Sequence, residues 1–109
     1  MHSNCVFCEI VAHREPARLV YEDDDVTVFW NRLGWVPVML LAVPKEHLLQ
    51  GELWTSDAIA KVSKVAAEVG AQHCPNGFRL LSNFGTDAMQ SQTHGHIHIL
   101  GGQFLGEYA

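Results

Sequence analysis

The stretch Gln90-Ser91-Gln92-Thr93-His94-Gly95-His96-Ile97-His98-Ile99-Leu100-Gly101-Gly102 constrains this chain more than any other. Three histidines stand at every second position, with isoleucine at 97 and 99. In an extended strand successive side chains alternate faces, so His94, His96 and His98 share one face while Ile97 and Ile99 point into a core. Same-face neighbours lie roughly 7 Å apart along a strand, which lays the imidazoles in a row instead of around one atom. Gly101-Gly102 ends the strand in a turn.

Imidazole titrates near neutrality, so each ring can serve as nucleophile, general base or hydrogen-bond donor. A metal-binding or solvent-facing patch is the plainer reading of histidines alone. Gln90 and Ser91 before the row, and isoleucine behind it, point instead to phosphoryl or nucleotidyl transfer through a covalent histidine. The middle ring, His96, has neighbours on both sides and is best placed for in-line attack, with its second nitrogen pinned to fix the tautomer. The Ser91 hydroxyl, nearby backbone N–H groups and His98 would stabilise charge on the phosphoryl oxygens. His94, at the strand entrance, is free to bind a metal that stiffens the row.

At 109 residues the chain is one domain, 1–109, and its 48% hydrophobic and 17% charged residues describe a globular protein. So small a core gains from a structural metal or a second subunit. The net charge of −5 argues against nonspecific nucleic-acid binding. Neither a signal peptide nor a membrane span is visible, and three cysteines are too few and too unpaired for a disulfide framework, so a cytoplasmic location is expected.

Cys5-Val6-Phe7-Cys8 reads as a loop that can present two thiolates to zinc, as two small buried residues, or as a redox pair. If zinc, His47 and His94 are the chosen third and fourth ligands. Strands are expected over 19–21, 26–30, 38–43 and 78–82, with an acidic hairpin tip over 22–25. A helix over about 57–73 starts at an N-cap of Thr55 or Ser56 and turns Ile59, Val62, Val65, Ala66 and Val69 inward. Short connections between strands make an antiparallel sheet with one helix on its face, an α+β fold.

The His-x-His-x-His pattern with apolar residues and Gly-Gly resembles the signature of the histidine triad (HIT) family of nucleotide hydrolases and transferases, most of all its Hint branch of purine nucleoside phosphoramidases. The resemblance runs along nearly the whole chain: Cys5-Val6-Phe7-Cys8, Val20-Tyr21-Glu22-Asp23, Val43-Pro44-Lys45-Glu46-His47, Asn83 with Gly85, Gln90-Ser91 and the triad. It implies a five-stranded antiparallel sheet with one main helix, and a homodimer whose sheets join into one of ten strands. It makes His96 the nucleophile of a nucleotidyl-histidine intermediate, and Cys5, Cys8, His47 and His94 a structural zinc site. Asn83, Gln90, Ser91 and His98 would surround the α-phosphate of AMP or an adenosine phosphoramidate. Val6, Phe7, Ile10 and Phe29 would form the base slot, and Asn31 would face the ribose.

This chain departs from the family pattern at several points. Asn31 stands where an aspartate is usual, Met39 where many members have histidine, Met89 where glycine precedes Gln90, and Gln103 where arginine is common. Trp30 and Trp35 enlarge the loop beside the ribose and base. The exchanges at Asn31, Met39 and Met89 favour a second reading, a zinc-stabilised nucleotide-binding module with a partner-interaction role and little turnover. A diadenosine polyphosphate hydrolase is the enzyme alternative, against which the Cys-x-x-Cys start speaks.

Overall fold

Runs of β-branched and aromatic residues become strands wherever two neighbours can share their ladder, and the computed structural model describes residues 5–107 of the chain. In order come helix α1 (Val6–Val11), strands β1 (Leu19–Glu22), β2 (Val26–Trp30) and β3 (Val38–Pro44), helices α2 (Gln50–Trp54) and α3 (Ala58–His73), then strands β4 (Phe78–Leu81) and β5 (Ile97–Gly101). They form one five-stranded sheet in the order β1-β2-β3-β5-β4, and every neighbouring pair is antiparallel. The expected α+β class holds.

β3 lies at the centre, and all seven of its residues are buried, as its continuous apolar run requires. Alternation along β2 sends Val26 and Val28 to one face and Phe29 to the other. On the first face α3 applies Val62, Val65, Ala66 and Val69 to Leu40, Ala42, Ile97 and Ile99, forming the main core. The N-cap of α3 is Asp57, not Thr55 or Ser56, and its side chain makes no capping bond; Ser56, one residue earlier, accepts the Ala58 N–H on its hydroxyl at 3.3 Å. On the second face α1 covers Phe29, Leu41 and Val43 with Cys5, Phe7 and Ile10. A six-residue helix spans only part of that face, and the remainder is left as a cleft.

The acidic stretch is a hairpin tip, where Asp23 Oδ1 accepts from the Asp25 and Val26 N–H groups at 2.7 and 2.8 Å. Two further expectations change. Cys5–Cys8 is not a loop: Cys5 caps α1, its thiol accepting from the Cys8 N–H at 3.3 Å. The histidine strand begins at Ile97, three residues later than its alternation suggests. Before it, residues 94–96 leave the sheet and pair with the chain entering α2, through a Leu49–His94 bridge and a 2.6 Å bond from Gly95 N–H to the Leu48 carbonyl. Among the described residues no helix is long and apolar enough to cross a membrane.

Candidate active site

Leaving the sheet at residue 97 exposes the His96 backbone to other partners and tucks its ring under α1. His96 is only 3% exposed, and its ring meets Phe7 edge-on, centroids 5.4 Å apart, and His98 at 5.0 Å. His96 Nδ1 lies 2.8 Å from the His94 carbonyl oxygen. A carbonyl only accepts, so Nδ1 carries the proton and Nε2 keeps the lone pair. Burial pushes the His96 imidazole below its ordinary range, partly opposed by that same carbonyl. Burial, and then the proximity of the His96 ring, whose protonated form would repel a second imidazolium, push His98 down to about 4. Both rings are therefore neutral at physiological pH, which a nucleophilic nitrogen requires.

One step back along the chain, His94 is fully buried and serves the opposite purpose. Its Nε2 donates to the Pro44 carbonyl at 2.7 Å, so its Nδ1 presents a lone pair. That nitrogen lies 3.4 Å from Cys5 Sγ and 3.5 Å from Cys8 Sγ, and Cys8 Sγ is 3.1 Å from His47 Nδ1. All four donor atoms lie within 4.8 Å of one another, so Cys5, Cys8, His47 and His94 could hold one metal ion. Tetrahedral nitrogen and sulfur ligands at roughly 2.0–2.3 Å from a metal stand roughly 3.3–3.8 Å apart, close to the separations found here. Burial and the adjacent Cys5 thiol push the Cys8 thiol up to about 11, so a metal would have to displace its proton. Phe7 stands edge-on to both His94 and His96, at 5.9 and 5.4 Å, and separates the two-cysteine, two-histidine constellation from the His96 ring.

Beyond His96 opens a cleft of about 1100 Å³. Val6, Phe7, Phe29, Asn31, Asn83, Ser91, His96 and His98 all line it, bringing most of the sequence-selected residues together. Two stand apart. Ile10 is buried on the inner face of α1 and borders a smaller depression with His13 and Pro16. Gln90 lies outside the cleft lining and instead shapes the loop, its Oε1 accepting from the Gly85 N–H at 2.8 Å and its Nε2 donating to the Gln92 carbonyl at 2.9 Å. Trp30 and Trp35 border the cleft as their bulk suggested, and Arg18 and Arg32 join them. Asn31 Oδ1 accepts from the Leu33 N–H at 3.0 Å. Met89 takes the left-handed conformation, φ 62° and ψ 33°, that the usual glycine would adopt freely.

Sequence reasoning passed over Gln50 and Ser82. Both bond the backbone of His96: Gln50 Oε1 accepts its N–H at 2.8 Å, and the Ser82 hydroxyl donates to its carbonyl at 2.5 Å. No spacing rule marks them, because the contacts depend on residues 94–96 leaving the sheet.

Fold and site together define a class, an α+β domain whose cleft is floored by a pinned, neutral imidazole beside a two-cysteine, two-histidine constellation. Comparison with known proteins narrows it. The HIT domain family model matches residues 12–105. Protein hit of Bacillus subtilis (strain 168) is 35% identical over 102 residues, covering 89% of this chain and 70% of that protein. A HIT family hydrolase from Clostridium thermocellum superposes with TM-score 0.90 at 31% identity, over 99% of this chain and 98% of the other. A histidine triad protein from Clostridium difficile gives TM-score 0.91 at 31% identity, over 100% and 99%. The chain belongs to the HIT family.

Proposed function

We propose that this protein is a nucleotide hydrolase that cleaves nucleoside 5′-phosphoramidates or related purine nucleotides through a nucleotidyl-His96 intermediate. The observation that carries the reading is the 2.8 Å contact between His96 Nδ1 and the His94 carbonyl, which leaves Nε2 as the attacking atom beside the cleft. Nε2 attacks the α-phosphorus as the bond to the leaving amine breaks, and the leaving nitrogen takes a proton from water in the cleft as it departs. Water then cleaves the phosphorus–nitrogen bond to His96 and releases the nucleoside monophosphate. Asn83, Ser91 and the neutral His98 hydrogen-bond the phosphoryl oxygens, and Gln90 contributes by holding the loop that presents Ser91. Val6, Phe7 and Phe29 receive the base, with Ile10 supporting them from beneath. A C. thermocellum relative described as a hydrolase supports the reaction class.

Zinc fills the constellation of Cys5, Cys8, His47 and His94 in this reading, in a structural role. The chain works as a homodimer in which β4 edges join two sheets into one of ten strands. β4 pairs on one side only and has a regular register, whereas the other edge strand, β1, is irregular between Leu19 and Tyr21. A light-scattering mass of one chain instead of two would remove the dimer.

The second reading, a nucleotide-binding module with little turnover, draws on the Asn31 side chain, whose oxygen is already engaged by Leu33 N–H. Steady-state hydrolysis of adenosine 5′-phosphoramidate decides between them. Wild-type turnover that drops on the order of a thousandfold or more in His96→Ala is the expected result. Equal rates in the two proteins reject covalent catalysis, and AMP binding without turnover selects the binding module.

A further inference from the structure

We propose that Gln50 is a positioning residue for the nucleophile, an inference that rests on the hydrolase reading above. Gln50 is the first residue of α2 and only 3% exposed, an unusual burial for a primary amide unless each of its polar atoms has a partner. Both do. Oε1 accepts the His96 N–H at 2.8 Å, and Nε2 donates to the Asn83 carbonyl at 3.1 Å. The first partner can only donate and the second can only accept, so the amide has a single satisfying orientation.

The need for such a residue follows from the local topology. β5 begins to pair with β3 and β4 only at Ile97 and His98, so the His96 peptide has no ladder partner in the sheet. Side chains take over both of its backbone groups. Gln50 holds the N–H, while Ser82 donates to the carbonyl and is itself held by a 3.1 Å bond from Trp54 Nε1. Gln50 and Trp54 are the two ends of α2, so this five-residue helix grips the nucleophile's backbone from both sides. The same Gln50 amide fixes the Asn83 backbone, placing nucleophile and phosphate-side loop in one frame. Gln50 does not line the cleft, so its influence passes through His96 and Asn83, not through contact with substrate.

A misplacement of the ring by about 1 Å is enough to cost roughly a hundredfold in rate. Gln50→Leu removes both hydrogen bonds at similar volume. It should lower kcat about ten- to a hundredfold while KM for adenosine 5′-phosphoramidate changes less than about twofold. Gln50→Glu keeps an acceptor for the His96 N–H but loses the donor to the Asn83 carbonyl, so it should recover part of that loss. NMR supplies a readout independent of turnover: in Gln50→Leu the His96 backbone N–H signal shifts upfield, and its exchange with water quickens. Wild-type kcat in a folded Gln50→Leu protein overturns the proposal, as does a fall in Gln50→Glu equal to that in Gln50→Leu. If wild type itself lacks turnover, the hydrolase reading fails separately. Unmoved His96 N–H signals in Gln50→Leu would then overturn the positioning role, and shifted, faster-exchanging signals would uphold it.

Discussion

His98 shows how burial sets the chemistry of a single ring. A histidine in an unfolded chain titrates near 6.5, and folding pushes His98 down to about 4. Between those values the unfolded chain binds a proton that the folded protein does not, so acid favours unfolding there. The stability this neutral ring contributes is complete above about pH 6.5 and is lost as the pH falls toward 4. Urea titrations across that window should show a steep acid limb for wild type and a shallower one for His98→Gln. Matching limbs would mean that His98 titrates normally. Met89 offers a test of a different kind. It is 85% exposed and held at φ 62°, where a Cβ is strained and little packing offsets the cost. Met89→Gly should raise stability by about 0.5–1 kcal/mol, the relief of strain outweighing the added chain entropy of glycine. A lower urea midpoint would refute it. The departure itself was legible in the sequence; the backbone angle that gives it meaning was not.

The strands were legible because four to seven residues of alternating or continuous apolarity state their faces plainly, and α3 because its apolar positions recur through sixteen residues. α1 and α2, at six and five residues, are too short for a helical period to declare itself. Yet these two position Phe7 and Gln50 at His96. The histidine row was misplaced for a related reason. Alternation alone extends the strand back to His94, but residues 94–96 find their partners at 48–50, a pairing no local pattern encodes. Gly95 makes that crossing narrow. A Cβ there would lie 2.9 Å from Leu53 Cβ and 3.2 Å from the Leu48 carbonyl oxygen. The first contact is a buried side chain next to its own helix and the second is backbone, so neither yields cheaply. Gly95→Ala should cost about 1–3 kcal/mol by differential scanning calorimetry, with a fall in kcat because His96 must shift with its neighbour. An unchanged melting temperature would show that the two segments part without penalty.

Across the whole molecule the two faces of the sheet are secured by different means. α3 buries a continuous apolar face against β2, β3 and β5, and none of the four candidate metal ligands belongs to that core. α1 is short, and beyond its contacts with Phe29, Leu41 and Val43 and the edge-on packing of Phe7 against His94 and His96, its attachment runs through Cys5 and Cys8 to His47 and His94. Cys5 and His94 lie 89 positions apart, so a metal bridging them closes most of the chain into one loop and orders the helix that carries Phe7. Structural zinc contributes on the order of 10 kcal/mol in domains that depend on it wholly. Here the α3 core should survive its loss, so the apparent stabilisation should be smaller. We expect about one zinc per chain by elemental analysis of reduced protein. Chelation, or Cys8→Ser, should lower the melting temperature and dissolve the methyl and ring signals of Val6, Phe7 and Ile10 in NMR spectra. Those of Val62, Val65 and Val69 should persist. Because Phe7 packs edge-on against His96, the apo protein should also lose turnover before it loses its fold. Metal-free reduced protein with α1 signals intact would show that packing alone seats the helix, and zinc would then have no structural part.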